Sequence, residues 1–169
     1  MNIETTRFGT VTVADDRVMD FPKGLLGFSK YRHYVLIESG DTTGKGTAQE
    51  SYFWWLQSVD VPELAFIVTD PSLFVSGYSV PVHADQLASM GIASMDEAQV
   101  FVIVNKIDQT LTGNLQGPLV VNVQERRGEQ LVLSDRRFTT RVPLMEVPAA
   151  IAAPVVAVQA PVESAVAVA

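Results

Sequence analysis

The chain is poor in the side chains that enzymes most often use as nucleophiles and metal ligands. It contains no cysteine and only two histidines, His33 and His83. The absence of cysteine excludes disulfides, thiolate zinc sites and cysteine nucleophiles, and two imidazoles are too few for a histidine-rich metal site. No Gly-x-Ser-x-Gly sequence is present to carry a serine nucleophile. The sequence therefore indicates no catalytic residue, no metal site and no cofactor.

Two short motifs are similar to nucleotide-binding sequences, but both lack necessary parts. In Ser39–Thr47, three residues separate Gly40 from Gly44, whereas a Walker phosphate loop has four, and Gly46 stands where the magnesium-binding hydroxyl is needed. Val104–Asp108 is similar to the guanine-reading motif of small GTPases, which has meaning only beside a phosphate loop. We interpret the first as a loop and the second as a strand end followed by a turn.

Carboxylates are the remaining candidates for chemistry. Two pairs are close in sequence, Asp60 with Glu63 and Asp96 with Glu97. A catalytic pair needs two carboxyl groups in surroundings that push their pKa values apart, but solvated turn carboxylates are far commoner. We interpret His83 as a surface residue near a helix start rather than a general base. No reaction is indicated by these residues.

Charge is distributed unevenly along the chain. The formal net charge is −7, from 12 basic and 19 acidic residues. No Lys or Arg occurs from Gly46 to Asn105, a span that contains Glu50, Asp60, Glu63, Asp70, Asp85, Asp96 and Glu97. An acidic protein repels nucleic-acid phosphates, so no direct nucleic-acid binding is expected. An acidic rim around apolar residues instead suits a basic or amphipathic protein partner.

The aromatic span 52–78 is expected to form the centre of the fold. It contains both tryptophans and three of the eight phenylalanines. Aromatic and β-branched runs at Tyr52–Val59 and Leu64–Thr69 predict two strands joined by a polar turn. Because successive strand residues point to opposite faces, Trp54 and Trp55 cannot share one, and one of them should be partly exposed or covered by another element.

Many further short strands and one helix are predicted. The strands are two about Gly9 within Ile3–Val13, then Val18–Phe21, Tyr31–Glu38, Phe74–Val80, Ala98–Ile107, Leu119–Val123, Glu129–Leu133 and Phe138–Val142. The helix is His83–Met90, with Gly91 as its stop. The apolar loop Phe21–Phe28 is expected to pack onto the core. Such spacing of strands and turns is typical of an all-β protein, here a small antiparallel β-barrel-like domain with one short helix.

The composition changes abruptly near residue 148. Residues 148–169 are mostly Ala, Val and Pro, and Pro154 and Pro161 interrupt the apolar runs before any reaches the roughly 20 residues of a membrane span. We expect a domain over residues 1–147 and a disordered tail over 148–169. The first residues contain no apolar segment of a secretory signal, so a cytoplasmic monomer without membrane contact is expected.

Several motifs, in the same order along the chain, resemble the flagellar assembly factor FliW family. They are Phe21–Phe28, Leu56–Ser58, Leu64–Pro71, Asn114–Leu115 with Gly117–Asn122, and Arg141–Leu144. The resemblance runs from Asn2 to Val147. One departure is that the usual Gly-Leu-Pro-Gly-Phe of the family is Gly-Leu-Leu-Gly-Phe here, over residues 24–28.

The resemblance implies a small, β-barrel-like cytoplasmic protein without enzymatic activity. Members of the family bind newly made flagellin through its C-terminal helical region, and they also bind CsrA, an RNA-binding translational regulator. Bound to CsrA, they relieve its repression of flagellin mRNA, and accumulating flagellin takes the factor away. The resemblance thus implies a chaperone-like partner switch that matches flagellin synthesis to assembly.

The acidic turns and aromatic residues of the span 52–78 are the predicted partner-binding surface. Asp60, Glu63 and Asp70 are expected to face the basic regulator, while Phe74 and Tyr78 contribute protein contact nearby. Three other functions are considered: a small-molecule-binding β-barrel protein with an aromatic-lined cavity, a hydrolase with a carboxylate pair, and an OB-like nucleic-acid binder. The last needs a basic groove with exposed aromatics, and the charge balance argues against it.

Overall fold

A computed structural model describes residues 1–38 and 52–146, and these ranges contain eleven strands and one α-helix. The strands are β1 (Asn2–Thr5), β2 (Gly9–Thr12), β3 (Met19–Asp20), β4 (His33–Glu38), β5 (Phe53–Ser58), β6 (Ala65–Thr69), β7 (Ala98–Ile107), β8 (Thr110–Gly113), β9 (Leu119–Asn122), β10 (Arg127–Gln130) and β11 (Val142–Glu146). The helix is α1 (Ala84–Met90). The predicted all-β class with one short helix is confirmed. The phosphate-loop-like segment 39–47 and the tail 148–169 lie outside the described residues.

Most strands belong to one sheet that closes partly into a ring. The long strand β7 pairs with β6 along one edge, and its first residues, Ala98–Phe101, pair with β9 along the other. The ring therefore runs β7-β6-β5-β4-β3-β10-β9 and returns to β7. The second half of β7 pairs with β8, which pairs with β11, so these three form a wing beside the ring. Strands β1 and β2 form a separate hairpin.

The sheet is antiparallel, as predicted, except for one parallel pair that makes it mixed. Strands β3 and β10 run parallel and are in register at Asp20 and Arg127. The backbone N–H of Asp20 donates to the carbonyl of Arg126 at 2.8 Å. The two strands lie more than a hundred positions apart in the sequence, and closure of the ring brings them together. Local alternation carries no information about such a distant pairing.

The inside of the ring is filled by apolar side chains. Cross-strand partners share a face of the sheet, and the pairs Leu36–Leu56 and Leu56–Phe66 therefore place these three side chains together. The same face carries residues with almost no accessible surface: Tyr34 0%, Leu56 2%, Phe66 3%, Val68 0%, Phe101 8%, Leu119 1% and Val121 3%. All seven belong to one buried apolar cluster, which is the packed core that the alternating apolar residues predict.

The loop Phe21–Phe28 closes one end of the ring, as expected for an apolar loop that packs onto the core. The ring of Phe21 meets that of Tyr34 edge-on at 5.7 Å, and Phe28 meets Phe66 at 5.3 Å. Two turns shape the loop, because Gly24 N donates to Phe21 O and Phe28 N donates to Leu25 O, both at 2.7 Å. Phe21, Leu25 and Phe28 are buried, whereas Leu26 at the tip of the loop is 48% exposed.

Two elements cover the outer face of the ring. The β1–β2 hairpin places the Arg7 guanidinium 4.2 Å from the ring centre of Trp55 and Phe8 at 5.8 Å from it. Trp55 is therefore buried, whereas Trp54 on the opposite face is half-buried and meets Phe101 at 5.9 Å. The expected split of the two tryptophans is confirmed. On the far side, residues of α1 and after it pack on β9 and residues 131–133 in a second apolar cluster.

Some predicted strand boundaries are wrong. Residues 74–80 form no strand: Phe74 stacks on Phe53, whereas Tyr78 and Val80 pack against the second cluster. The last strand is Val142–Glu146 rather than Phe138–Val142, since Phe138 turns inward onto Tyr78. Strand β8, which follows a two-residue turn at 108–109, was not predicted. Strand β4 begins two residues later than predicted, and β10 begins two residues earlier.

The packing of the loop Phe21–Phe28 leads to a paired glycine prediction. Gly24 has φ +65°, and a Cβ there would lie 2.5 Å from the Cα of Ser29 and 2.6 Å from the carbonyl oxygen of Phe28. Gly9 has φ +69° with no atom within 4 Å of its Cβ position. Gly9→Ala should cost only left-handed strain, about 1–2 kcal/mol, and Gly24→Ala should cost clearly more because backbone atoms must move. Urea unfolding measures both losses, and equal losses would contradict the described loop packing.

Candidate partner-binding surface

The β5–β6 hairpin separates the predicted binding residues into two groups. Its register runs from Phe53 opposite Thr69 to Gln57 opposite Ala65, a length of about 13 Å along the strands. Asp60 and Glu63 lie in the connecting turn at one end, which we call the turn end (residues 59–63). Asp70 and Phe74 lie beyond the other end of the hairpin, so the five predicted residues do not form one continuous surface.

Asp60 ties the turn end to strand β4. Its Oδ2 accepts hydrogen bonds from the backbone N–H groups of Arg32 at 3.1 Å and His33 at 3.2 Å, and Oδ1 lies 3.3 Å from His33 Nδ1. Partial burial disfavours the charged carboxylate, but the hydrogen bonds from His33 and Arg32 outweigh that effect and lower the pKa of Asp60. Asp60 therefore acts within the fold, with only part of its carboxylate left for a partner.

Two buried polar residues that were not predicted as important shape the same turn. The Ser58 hydroxyl accepts from the N–H groups of Asp60 and Val61, each at 3.1 Å. The Gln57 side chain is fully buried, and its Nε2 lies 3.0–3.4 Å from the carbonyl oxygens of Ser58, Val61, Pro62 and Leu64. The signal in the sequence is a Gln-Ser pair inside an otherwise apolar strand. This scaffold leaves Glu63 exposed at the tip of the turn.

An aromatic group lies at the opposite end of the hairpin, and we call it the aromatic end (Tyr52, Phe53, Leu73 and Phe74). Phe74 stacks on Phe53 with ring centres 5.7 Å apart and meets Tyr52 edge-on at 6.3 Å. Phe53 and Phe74 are half-buried, while Tyr52 and Leu73 are 45% and 48% exposed. Sequence reasoning identified Phe74 but not Tyr52 or Leu73, whose exposure depends on the tertiary arrangement.

Asp70 holds the backbone that presents Leu73 and Phe74. Its Oδ1 accepts from the N–H of Ser72 at 2.9 Å and from the Ser72 hydroxyl at 2.6 Å, which caps the 3-10 turn Pro71–Leu73. Its Oδ2 accepts from Gln99 Nε2 at 3.0 Å. Asp70 thus has a positioning role at the aromatic end in addition to its charge.

Tyr78 lies apart from both groups. Its hydroxyl donates to the carbonyl of Leu115 at 2.7 Å, and its ring meets Phe138 edge-on with centres 4.8 Å apart. Burial raises the pKa of Tyr78 to about 12. The side chain belongs to the second apolar cluster, so its contribution to partner contact stays a prediction that the geometry does not link to Phe74.

The other residues considered for chemistry have ordinary structural surroundings. Glu97 Oε2 accepts from the N–H of Ala93 at 3.0 Å, within the turn that precedes β7. His83 immediately precedes α1, and its N–H donates to Gln86 Oε1 at 3.0 Å, which confirms its predicted place at the helix start. Within residues 1–38 and 52–146, no group of three or more His, Asp and Glu side chains is arranged to hold a metal ion.

No helix in the described part of the chain is long and apolar enough to cross a membrane.

Comparison with known proteins identifies the family. Residues 2–144 match the family model described as FliW protein. The chain belongs to the FliW family. Flagellar assembly factor FliW of Leptospira biflexa is 35% identical over 149 residues, which cover 86% of this chain and 92% of the relative. The FliW protein of Geobacter sulfurreducens is 35% identical over 86% of this chain and 87% of its own length.

The fold of this FliW family member is also similar to a solved structure. A crystal structure of the flagellar assembly factor FliW superposes with a TM-score of 0.72 at 26% sequence identity, covering 86% of this chain and 97% of the solved one. The FliW family resemblance inferred from the sequence motifs is thereby confirmed.

Leu26, the departure from the FliW motif, has a structural explanation. Phe28 N donates to Leu25 O and Gly27 has φ +81°, so residues 25–28 form a type II turn with Leu26 at the position where proline is common. The Leu26 N–H donates to Gln130 Oε1 at 2.8 Å. Proline has no N–H, so this chain has a hydrogen bond that the usual FliW motif cannot make.

The Asp60 contacts predict how stability depends on pH. A carboxylate whose pKa is lowered by folding contributes stability above its unfolded-state pKa of about 3.9, and that contribution is lost as pH falls through the lowered folded-state value. Asp60→Asn should therefore lower the free energy of unfolding at pH 7 and have a smaller effect at about pH 3. Urea titrations at both pH values measure the difference. An equal effect at the two pH values would contradict the assigned role of the carboxylate.

Proposed function

We propose that this chain is a non-enzymatic, cytoplasmic flagellar assembly factor that binds flagellin and the translational regulator CsrA. The observation that carries the proposal is the FliW family match over residues 2–144, together with relatives named as flagellar assembly factors. The proposed contact on flagellin is its C-terminal helical region. Release of CsrA by flagellin then couples flagellin synthesis to assembly of the flagellum.

The charge distribution supports contact with a basic regulator. The Lys- and Arg-free span contributes β5, β6, α1 and most of β7, and the turn between β5 and β6 presents the exposed carboxylate of Glu63. Opposite surface charges increase association rates more than they increase affinity, and exposed ion pairs contribute little after screening. Of the proposed residues, Glu63 presents its carboxylate most directly, since Asp60 and Asp70 also accept hydrogen bonds from their own loops.

The binding of both proteins is the direct test of the function. Purified full-length chain should bind purified flagellin and purified CsrA in separate calorimetric titrations, and added flagellin should release CsrA from its complex with this chain. Flagellin truncated before its C-terminal helical region is the matched control and should not bind. Failure to bind both flagellin and CsrA would overturn the proposed function.

The proposed contribution of the turn end has a charge-reversal test. Glu63→Lys should slow association with CsrA at low salt and flatten the salt dependence of the rate, because long-range attraction is reduced. Stopped-flow fluorescence at several salt concentrations measures both effects. Asp16→Lys is the control, because it makes the same charge change at an exposed position outside the Lys- and Arg-free span. An unchanged salt slope in Glu63→Lys would remove the turn end from the interface.

A further inference from the structure

We propose that the outer edge of strand β2 (Gly9–Thr12) pairs with the same edge of a second copy of this chain. The two strands run antiparallel about a twofold axis at Val11, so that Thr10 of one copy lies opposite Thr12 of the other. The inference goes beyond the proposed function, because it assigns a self-association site that the binding of flagellin or CsrA does not require. The monomer expected from the sequence is then the form at low concentration.

The hydrogen-bond pattern of the β1–β2 hairpin leaves two residues of β2 with unpaired backbone groups. The Val13 N–H donates to Met1 O at 2.9 Å, and the Met1 amino group donates to Val13 O at 2.8 Å. In an antiparallel pair, such hydrogen-bonded positions alternate with positions whose N–H and C=O groups point away from the partner strand. By the register, Thr10 and Thr12 are outward positions. Within residues 1–38 and 52–146, no hydrogen bond uses their backbone groups.

The edge of β2 is the edge of the hairpin that lies away from the ring. Thr6 follows β1, and its N–H donates to the Pro62 carbonyl at 3.1 Å while its hydroxyl donates to the same oxygen at 3.0 Å. Strand β1 is therefore the one that faces the β5–β6 turn. Ile3 and Thr5 of β1 are buried, whereas β2 has three exposed residues and one half-buried residue. A partner strand can therefore approach β2 from the side opposite the turn.

The terminal strand of the large sheet, β11, has protection against edge pairing that β2 lacks. Pro143 of β11 has no N–H to donate, and the register of β11 shifts between Pro143 and Met145. Proline, bulges and charged side chains are the usual devices that prevent sheet edges from pairing. The β2 sequence Gly-Thr-Val-Thr contains neither proline nor charge, and its register is continuous. Its edge is therefore suited to strand addition.

A second copy is the occupant because the edge of β2 complements itself. With Thr10 opposite Thr12 of the second copy, the outward N–H of each threonine donates to the carbonyl of the other, which uses every outward group of both strands. Since β2 has no charged side chain, two copies pair without opposing like charges. Threonine pairs across strands are favourable, and contacts between identical patches about a twofold axis are the commonest in oligomers.

The small size of the contact predicts a weak and reversible dimer. Strand β2 has four residues, and two such strands bury far less than the roughly 1,200 Å² at which stable interfaces begin. The fraction of dimer should therefore rise with protein concentration.

Register-specific crosslinking tests the pairing. The chain has no cysteine, so Val11→Cys introduces a single thiol per chain. In the proposed register, the two Val11 positions form a non-hydrogen-bonded pair with Cα atoms about 4.5 Å apart, which a disulfide can span. Mild oxidation of Val11→Cys should give a covalent dimer on non-reducing electrophoresis. Thr10→Cys and Thr12→Cys are the matched controls and should crosslink much more slowly, because like positions are then about 8 Å apart.

Removal of one N–H group tests the backbone hydrogen bonds. Thr12→Pro deletes an outward N–H, whereas Thr12→Val keeps that N–H and deletes only the hydroxyl, which donates to Asn2 Oδ1 at 3.0 Å. Sedimentation velocity at increasing concentration should show association of the wild-type chain and Thr12→Val. Association of Thr12→Pro should be weaker by about tenfold or more, because the twofold symmetry removes the same hydrogen bond twice. Urea unfolding checks that Thr12→Pro folds, and the crosslinking decides the inference if it does not.

Four results would overturn the inference. Sedimentation of the wild-type chain that does not change with concentration would exclude self-association. Equal crosslinking rates at positions 10, 11 and 12 would indicate random collision. Equal association of Thr12→Pro and the wild-type chain would place the contact elsewhere. A monomeric wild-type chain whose binding of flagellin or CsrA is lost in Thr12→Pro but retained in Thr12→Val would identify a strand of that partner as the occupant.

Discussion

The pairing of β7 with both β6 and β9 is the constraint on which the rest of this structure depends. It turns an extended sheet into a partial ring, creates an interior for Tyr34, Phe66 and their neighbours, and gives the domain two distinct ends. At the closure point, Ala98 pairs with Asn122. Without this pairing, the inner face of the sheet would be exposed, and the free-energy gain from burying its large apolar side chains would be lost.

The Asn122 side chain connects the closure point to the elements around it by hydrogen bonds. Its Nδ2 donates to the carbonyls of Met90 at 2.9 Å and Gly91 at 3.3 Å, where α1 ends. Its Oδ1 accepts from the N–H groups of Gln124 at 3.0 Å and Glu125 at 3.1 Å. All the hydrogen-bonding capacity of this buried amide is used, so one side chain connects the ring, the helix and the β9–β10 turn.

The carboxylates of the β5–β6 region have two different roles, one in holding loops and one as exposed surface charge. Asp60 and Asp70 accept backbone hydrogen bonds and fix the loops in which they lie, and Glu63 projects from one of those loops into solvent. A substitution of Asp60 or Asp70 therefore changes loop geometry as well as charge. A substitution of the exposed Glu63 changes the surface charge more directly.

The sequence by itself determined the features that depend on local pattern. Alternation and composition predicted an all-β fold, the helix before Gly91, the buried loop Phe21–Phe28 and the opposite orientations of Trp54 and Trp55, and ordered motifs identified the family. These properties follow from residue types within a few positions of each other, since the strand period, helix caps and turn glycines act locally.

Only the tertiary structure decided how these pieces are arranged. It separated Asp60 and Glu63 from Asp70 and Phe74 along the hairpin, placed Tyr78 in the second cluster, and paired β3 with β10 in parallel. Pairings between distant strands depend on which edges and apolar faces remain available after the others have paired, and no short stretch of sequence specifies that. The exposure of Tyr52 and Leu73 likewise depends on the tertiary arrangement around them.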